Sequence, residues 1–174
     1  NTHTDRGTYP MRGLIPVERD GLLGASKNIG VTSIVSSALR LHGQMMLCGQ
    51  ASGTIAFVAL KDNVQPRRVA SDPQRVEEVQ RLLVTGARGP GVLLWPYHDL
   101  PPVHPAFVAA NMLSLKGIWK PDTDSVFFRP DAAVSEQEWA ALRLRVPQNV
   151  RKGLPDQAPA TRTAAVRLLT EVIR

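Results

Sequence analysis

Residues 44–61 read QMMLCGQASGTIAFVALK, and the fold of this stretch decides the architecture of the chain. Two apolar runs, QMMLCG and GTIAFVALK, flank the small polar residues QAS. We interpret the runs as two strands joined by a turn, because short apolar segments bounded by turn residues are typical of buried strands. The second run is the most apolar segment of the chain and predicts a central strand of a sheet.

A helix and a third strand are predicted to follow this stretch. Asp72 is a good N-cap residue, Pro73 suits the first helical position, and Gly86 is placed to end the helix. The apolar run GVLLWPY then begins at Gly91. A strand, a helix and a strand over roughly forty residues predict a βαβ unit with parallel strands.

The rest of the chain adds further helices and strands around that unit. In GLIPVERDGLLGAS, Asp20 and the glycine after it predict a two-residue hairpin turn. Residues 31–42 have the apolar spacing of a helix, and another helical stretch ends at Gly117. Ser135 starts a capping box that opens a further helix. The sum is a mixed α/β fold: a central mixed sheet of about five or six strands, one βαβ unit, and helices packed on the sheet.

We expect three segments along the chain. Residues 1–146 form the mixed α/β domain, 147–160 a Pro-rich linker, and 161–174 a C-terminal amphipathic helix that packs on the same domain. Within the first segment, VERDGLLGAS with the helix and two strands predicted after it resembles the hairpin-and-helix core of roadblock-type scaffold domains. Because the sequence begins with Asn1 rather than methionine, we expect an excised domain, a processed product or a trimmed chain.

The charge of the chain favours an acidic partner. The formal net charge is +6, and residues 143–174 hold seven basic residues against only Asp156 and Glu171. Arginine suits bidentate contacts to phosphate, and such contacts give affinity without sequence information. The predicted nucleic-acid or partner surface contains Arg143, Arg145, Arg151, Lys152, Arg162 and Arg167.

A second candidate surface lies in GVLLWPYHDLPPVHP, residues 91–105. Trp95 and Tyr97 stand among prolines there, and a rigid aromatic loop of this kind suits contact with a protein partner. The same loop carries the enzymatic alternative, in which His98 acts with Cys48 or Asp99. The pitch of a strand points His98 and Asp99 apart, and the chain has no nucleophile motif to complete them.

Cofactors and metals are not expected. The two glycine-bearing loops have neither the lysine of a phosphate-binding loop nor the strand-to-helix order of a dinucleotide fingerprint. His98 and His104 are separated by a proline-containing segment that cannot bring them onto one helical face. No apolar run approaches the roughly 20 residues of a membrane span, so we expect no membrane insertion.

The leading hypothesis is a non-enzymatic binding module of a larger protein or assembly, which contacts nucleic acid or another acidic partner through its C-terminal basic segment. One alternative is a small hydrolase or transferase that uses His98, and another is a structural domain of a multi-subunit, for example viral, assembly. Enzymatic activity is open but not favoured. The single cysteine, Cys48, excludes a disulfide framework and favours a reducing, intracellular compartment.

Overall fold

Helices are the regular secondary structure of the protein. The computed structural model describes residues 8–86, 89–119 and 126–173, and it contains no strand in these ranges. The predicted mixed α/β fold with a five- or six-stranded sheet and a βαβ unit is therefore wrong. The chain divides into two compact units, Asn1–Val92 and Leu93–Arg174. The described residues form no helix that is long and apolar enough to cross a membrane.

The first unit is built around one long helix. Its described part contains a 3₁₀ turn at Met11–Leu14 and the helices α1 Ser33–Leu39, α2 His42–Lys61, α3 Pro66–Ser71 and α4 Pro73–Thr85. Helix α2 packs against α3 and α4, which also contact each other. The predicted helix over 31–42 is confirmed in part by α1, whereas nothing in the sequence analysis predicted α3.

Helix α2 replaces the two strands predicted within 44–61. Its buried residues recur at helical spacing rather than at alternate positions, and they are Met45, Cys48, Ser52, Ile55, Val58 and Ala59. Small residues in and beside the predicted turn let a loop pack closely against the helix. A side-chain carbon at Gly49 would lie 3.3 Å from the carbonyl oxygen of Ala25, and the Ser52 hydroxyl donates to the carbonyl of Gly24. Because the two strands do not form, this segment lacks the hairpin-and-helix core that the resemblance to roadblock-type domains implies.

The predicted hairpin is also absent. Gly21 has a φ of 69°, so the turn itself forms at a glycine in the left-handed region. The two arms do not pair as strands, because they are joined chiefly by one short hydrogen bond in which the Gly24 amide donates to the Leu14 carbonyl at 2.7 Å. The segment is held as a loop against α2 instead.

Helix α4 confirms the predicted end signals. The Asp72 carboxylate accepts hydrogen bonds from the amides of Gln74 and Arg75, at 2.9 and 3.4 Å, and Gly86 ends the helix with a φ of 71°. A charge network ties this helix to the end of α2, since the Arg75 guanidinium lies 2.7 Å from the Asp62 carboxylate. The start of α4 is thereby fixed to the last residues of α2.

The second unit packs four helices around aromatic side chains in its described part. The helices are α5 Phe107–Leu115, α6 Glu136–Arg145, α7 Gln148–Arg151 and α8 Arg162–Ile173. Large side chains that are fully buried in this unit include Tyr97, Phe107, Phe128, Trp139 and Leu169. The predicted helix end at Gly117 is confirmed by its φ of 69°, and Ser135 is confirmed as the N-cap of α6, since its hydroxyl accepts the Glu138 amide at 3.1 Å.

The predicted strand GVLLWPY is an irregular segment. The side-chain oxygen of Asn111, a buried residue of α5, accepts the amides of Leu94 and Trp95 at 2.9 and 2.8 Å. Pro96 has no amide hydrogen to offer a sheet. A helix side chain therefore satisfies the backbone groups that a neighbouring strand would otherwise have paired.

Helices α6 and α8 are held together at their beginnings. The Thr161 hydroxyl accepts the Ala164 amide at 3.2 Å, so α8 starts with the same kind of cap as α6. The Arg162 amide donates to the Ala132 carbonyl at 3.0 Å, and the Glu136 carboxylate accepts the Ala158 amide at 3.1 Å. Each helix start is thus anchored to the loop that precedes the other.

Candidate functional site

The backbone amides at the beginning of α2 have no hydrogen-bond acceptor among the described residues. Leu41 is the N-cap residue, and its apolar side chain makes no capping hydrogen bond. Within the described residues, no acceptor outside the helix pairs with the amides of His42, Gly43 or Gln44. The first turn carries no acidic side chain. The dipole of this 20-residue helix places partial positive charge on these amides. We call residues 41–44 the amide end of α2.

The amide end is open and has an apolar border. A side-chain carbon at Gly43 would meet no heavy atom of the described residues within 4 Å, which leaves the backbone open to a ligand on their side. Leu41 and Met46 are exposed beside it. The arrangement suits a ligand that joins an acceptor-rich or anionic group to an apolar surface.

The predicted nucleophile Cys48 lies on the buried side of α2. Its side chain is buried, and this burial raises the pKa of the thiol above its ordinary value. At neutral pH the group is therefore a protonated thiol rather than a thiolate. Cys48 belongs to the first unit, whereas His98 and Asp99 belong to the second, so their pairing stays a prediction.

The carboxylate of Asp99 holds a neighbouring backbone segment. Its two oxygens accept the amides of Phe128 and Arg129 at 2.7 and 2.6 Å. His98 is exposed, its ring centroid lies 5.7 Å from that of Phe127, and its amide donates to the Val126 carbonyl at 2.9 Å. His98 and Asp99 are thus hydrogen-bonded to the segment 126–129.

Trp95 and Tyr97 differ in how deeply the structure buries them. Tyr97 is fully buried, its hydroxyl lies 2.6 Å from that of Ser114, and its ring meets Phe128 edge-on with centroids 5.4 Å apart. Burial raises the pKa of Tyr97 to about 12. Trp95 is half-buried. Tyr97 therefore belongs to the core, and the predicted partner surface on this loop stays a prediction that rests on Trp95.

Several predicted phosphate-binding arginines make contacts within the second unit. Arg143 lies 2.8 Å from the Asp156 carboxylate. Arg151 donates to the Leu144 carbonyl at 2.9 Å, near the end of α6, and Arg145 donates to a backbone carbonyl at 3.3 Å. Cations at this position complement the negative end of the helix dipole.

Arg162 also makes its contacts within the second unit. Its guanidinium lies 3.1 Å from the Glu138 carboxylate and 5.9 Å from the centroid of the Trp119 ring. Of the predicted basic surface, Arg145, Lys152 and Arg167 are exposed. Four of the six basic residues thus have a carboxylate or carbonyl partner within the second unit, and the predicted basic surface stays a prediction.

One comparison with known proteins gave a match. A family model described as FAD dependent oxidoreductase matches residues 2–83, which is most of the first unit and just under half of the chain. Neither the curated proteins nor the solved structures gave a match. The family match overturns the prediction of a non-enzymatic module that contacts nucleic acid, together with its hydrolase or transferase and structural alternatives. No group of three or more His, Cys, Asp or Glu side chains that could hold a metal ion occurs among the described residues.

Sequence reasoning missed the amide end of α2 because the strand interpretation hid it. Backbone amides carry no formal charge and appear in no motif of charged residues. The available signal was the order of residues: an apolar Leu41 and a small Gly43 stand just before a long segment with helical spacing. An uncapped helix start was readable there once the helix was recognised.

Proposed function

We propose that the first unit is part of an FAD-dependent oxidoreductase, and that the amide end of α2 binds an acceptor-rich group of FAD. The observation that carries the proposal is a helix start whose first amides have no acceptor among the described residues, inside the region that the family model matches. An anion or a carbonyl oxygen is the natural ligand of such a helix start.

The donor set fits the chemistry of FAD. Among the groups of FAD that accept hydrogen bonds are the pyrophosphate and the pyrimidine edge of the flavin, which FAD joins to an apolar ring system. The amides of His42, Gly43 and Gln44 would hold one of these groups, and Gly43 leaves room for it. FAD supplies two-electron redox chemistry when bound. The chain supplies hydrogen-bond donors and a positive helix end, which favours negative charge on the bound group.

The described part of the chain fits only part of FAD. A dinucleotide is usually held at a parallel sheet in which a glycine-rich turn leads from a strand into a helix, and the described residues contain no strand. The second glycine-bearing loop, at 86–91, follows α4 instead of opening a helix. The proposal therefore assigns the first unit one wall of the FAD site, with the dinucleotide fold supplied by another polypeptide segment.

The test is a titration of the isotope-labelled full chain with FAD, followed by NMR of the backbone amides. We expect the resonances of His42, Gly43 and Gln44 to shift, even if the affinity is low. Riboflavin and ADP, titrated separately, identify which half of FAD lies at the amides. The absence of any shift at these three amides at millimolar FAD would overturn the proposal.

Two glycine variants of α2 supply the matched control. Gly43 and Gly53 are both exposed, and a side-chain carbon at either would meet no heavy atom within 4 Å. Gly43→Glu places a carboxylate at the amide end, whereas Gly53→Glu places it about 15 Å along the helix. We expect Gly43→Glu to weaken FAD binding about tenfold, or roughly 1.4 kcal/mol, because its carboxylate competes with either group of FAD for the amides at the helix start. Equal losses in the two variants would contradict the assignment to the amide end.

A further inference from the structure

The outer face of α2 carries no charged side chain. Residues 43–60 contain no Asp, Glu, Lys, Arg or His, although α2 has exposed residues along its whole length. Helix α4 of the same unit, by contrast, has four charged residues among thirteen. The outward face of a surface helix normally carries charged groups, so a long exposed face without them is typical of a surface that a partner covers.

The exposed residues of this face recur at coiled-coil spacing. They follow each other at intervals of four, three, four and three residues, and they are Met46, Gln50, Gly53, Phe57 and Leu60, which we call the α2 seam. This spacing keeps the side chains on one side of a helix and suits pairing with a second helix. Met46 is 74% exposed and Phe57 is 55% exposed, so both large side chains are accessible to such a partner.

The α2 seam is complementary to a reversed copy of itself. If two α2 helices run antiparallel about a point between Gln50 and Gly53, Gln50 of each copy faces Gly53 of the other. A side-chain carbon at Gly53 would meet no heavy atom of the described residues within 4 Å, which leaves room for the glutamine. Met46 of each copy then faces Phe57 of the other, and contacts of a thioether with an aromatic ring are favourable. Each contact occurs twice, as a two-fold interface requires.

The two ends of α2 differ in charge in a way that favours the antiparallel direction. The start of α2 follows the exposed Arg40, has no acidic side chain in its first turn and is the positive end of the helix dipole. The end of α2 gathers a network of three carboxylates and two cations, formed by Asp62, Asp72, Glu78, Lys61 and Arg75. An antiparallel pair places the positive start of each helix beside the acidic end of the other, whereas a parallel pair brings like ends together.

We propose that the α2 seam is a self-association surface, through which two copies of this chain pair their α2 helices antiparallel. Residues 46–60 span about 22 Å of helix, and a face about 10 Å wide covers roughly 220 Å² per copy. A stable interface buries about 800 Å² per copy, so we expect a weak dimer with a Kd on the order of 100 μM. The pairing uses the side of α2 and does not rest on the proposed function.

The first experiment measures the mass of the full chain by sedimentation equilibrium, from about 5 μM to about 1 mM. We expect Met46→Glu to weaken the dimer at least about tenfold, because it places a carboxylate without a partner against Phe57 of the other copy. Leu144→Glu is the matched control, since Leu144 is 69% exposed on a helix of the second unit, and it should leave the dimer unchanged. Circular dichroism checks that both variants keep their helix content. Equal association of the three proteins, or a monomer throughout, would overturn the proposal.

The second experiment tests the direction of the pair by disulfide cross-linking. The Met46→Cys and Phe57→Cys chains, one of them labelled with ¹⁵N, are mixed and mildly oxidised, and mass spectrometry identifies the linked peptides. We expect links between the two variants to form at least about tenfold faster than links within either one, because residues 46 of two antiparallel copies lie about 16 Å apart along the helix axis. The unchanged chain is the control, since Cys48 is buried. Links that form as fast within Met46→Cys alone, or no links at all, would refute the antiparallel pair.

Discussion

Replacing Asp99 by alanine tests whether this residue anchors the second unit. Its carboxylate accepts the amides of Phe128 and Arg129, at 2.7 and 2.6 Å. Phe128 is fully buried, and its ring contacts those of Tyr97 and Trp119, with centroids 5.4 and 5.3 Å away. Asp99 thus fixes the backbone of a residue on which an aromatic cluster depends. Its loss should destabilise the unit and not merely free a loop.

The expected cost follows from the environment of the two amides. A hydrogen bond to a charged group contributes about 1.5–3 kcal/mol when its partner cannot turn to water. The Phe128 amide is partly buried, so that contribution is lost almost in full, whereas the exposed Arg129 amide can bond to water. We expect Asp99→Ala to lower the free energy of unfolding by about 2–3 kcal/mol. Asp99→Asn keeps one acceptor oxygen, and we expect it to cost about half as much.

Urea unfolding of the full chain, followed by tryptophan fluorescence and circular dichroism, measures these costs. Asp131→Ala is the matched control, because Asp131 is an exposed aspartate of the same unit. A surface change of this kind should alter the free energy of unfolding by less than about 0.5 kcal/mol. Equal stability of the Asp99→Ala and Asp131→Ala proteins would refute the anchoring role.

Two further predictions concern titratable groups. A hydrogen bond from Arg75, assisted by the charge of Lys61, lowers the pKa of Asp62, so Asp62 stabilises the fold above the unfolded-state pKa of about 4 and loses this effect as the pH falls through the lowered value. Urea unfolding should show that the stability gap between the unchanged chain and Asp62→Asn shrinks below about pH 4, and a gap independent of pH would contradict this. Burial raises the pKa of Tyr97 to about 12, so absorbance at alkaline pH should show one of the two tyrosines ionising only there. Tyr97→Phe should remove that late step and cost about 1 kcal/mol for the lost Ser114 contact, whereas ionisation of both tyrosines well below that pH would be inconsistent with a buried Tyr97.

The local signals at helix ends could be predicted from the sequence because they involve neighbouring residues. Asp72 caps α4 through amides two and three residues later, and Ser135 caps α6 in the same way. Gly86 and Gly117 end their helices at positive φ. These features depend on a side chain and a backbone only a few residues apart, and no distant contact is needed to produce them.

The architecture could not be predicted in the same way, because it depends on what each apolar run packs against. GTIAFVALK suits a buried strand by composition, since β-branched and aromatic residues are common in strands. In the structure, Ile55 and Val58 are buried and Leu60 is 82% exposed, which is the spacing of a helix with one exposed side. Ser52, from the predicted turn, and the nearby Gly49 instead let the loop of Gly24 and Ala25 pack against the helix. Propensity was overridden by tertiary contacts.

The candidate site escaped prediction for an electrostatic reason. Formal charge counts directed attention to the arginines of 143–174, but the structure places Arg143 and Arg162 beside carboxylates and Arg151 on the carbonyls that end α6. Their charge is largely satisfied inside the second unit. The uncapped positive helix end is that of α2, where backbone amides carry partial charges. A count of formally charged residues does not include these partial charges. A search for anion sites in a helical protein should therefore begin with helix starts that lack a cap, and only then turn to clusters of arginine.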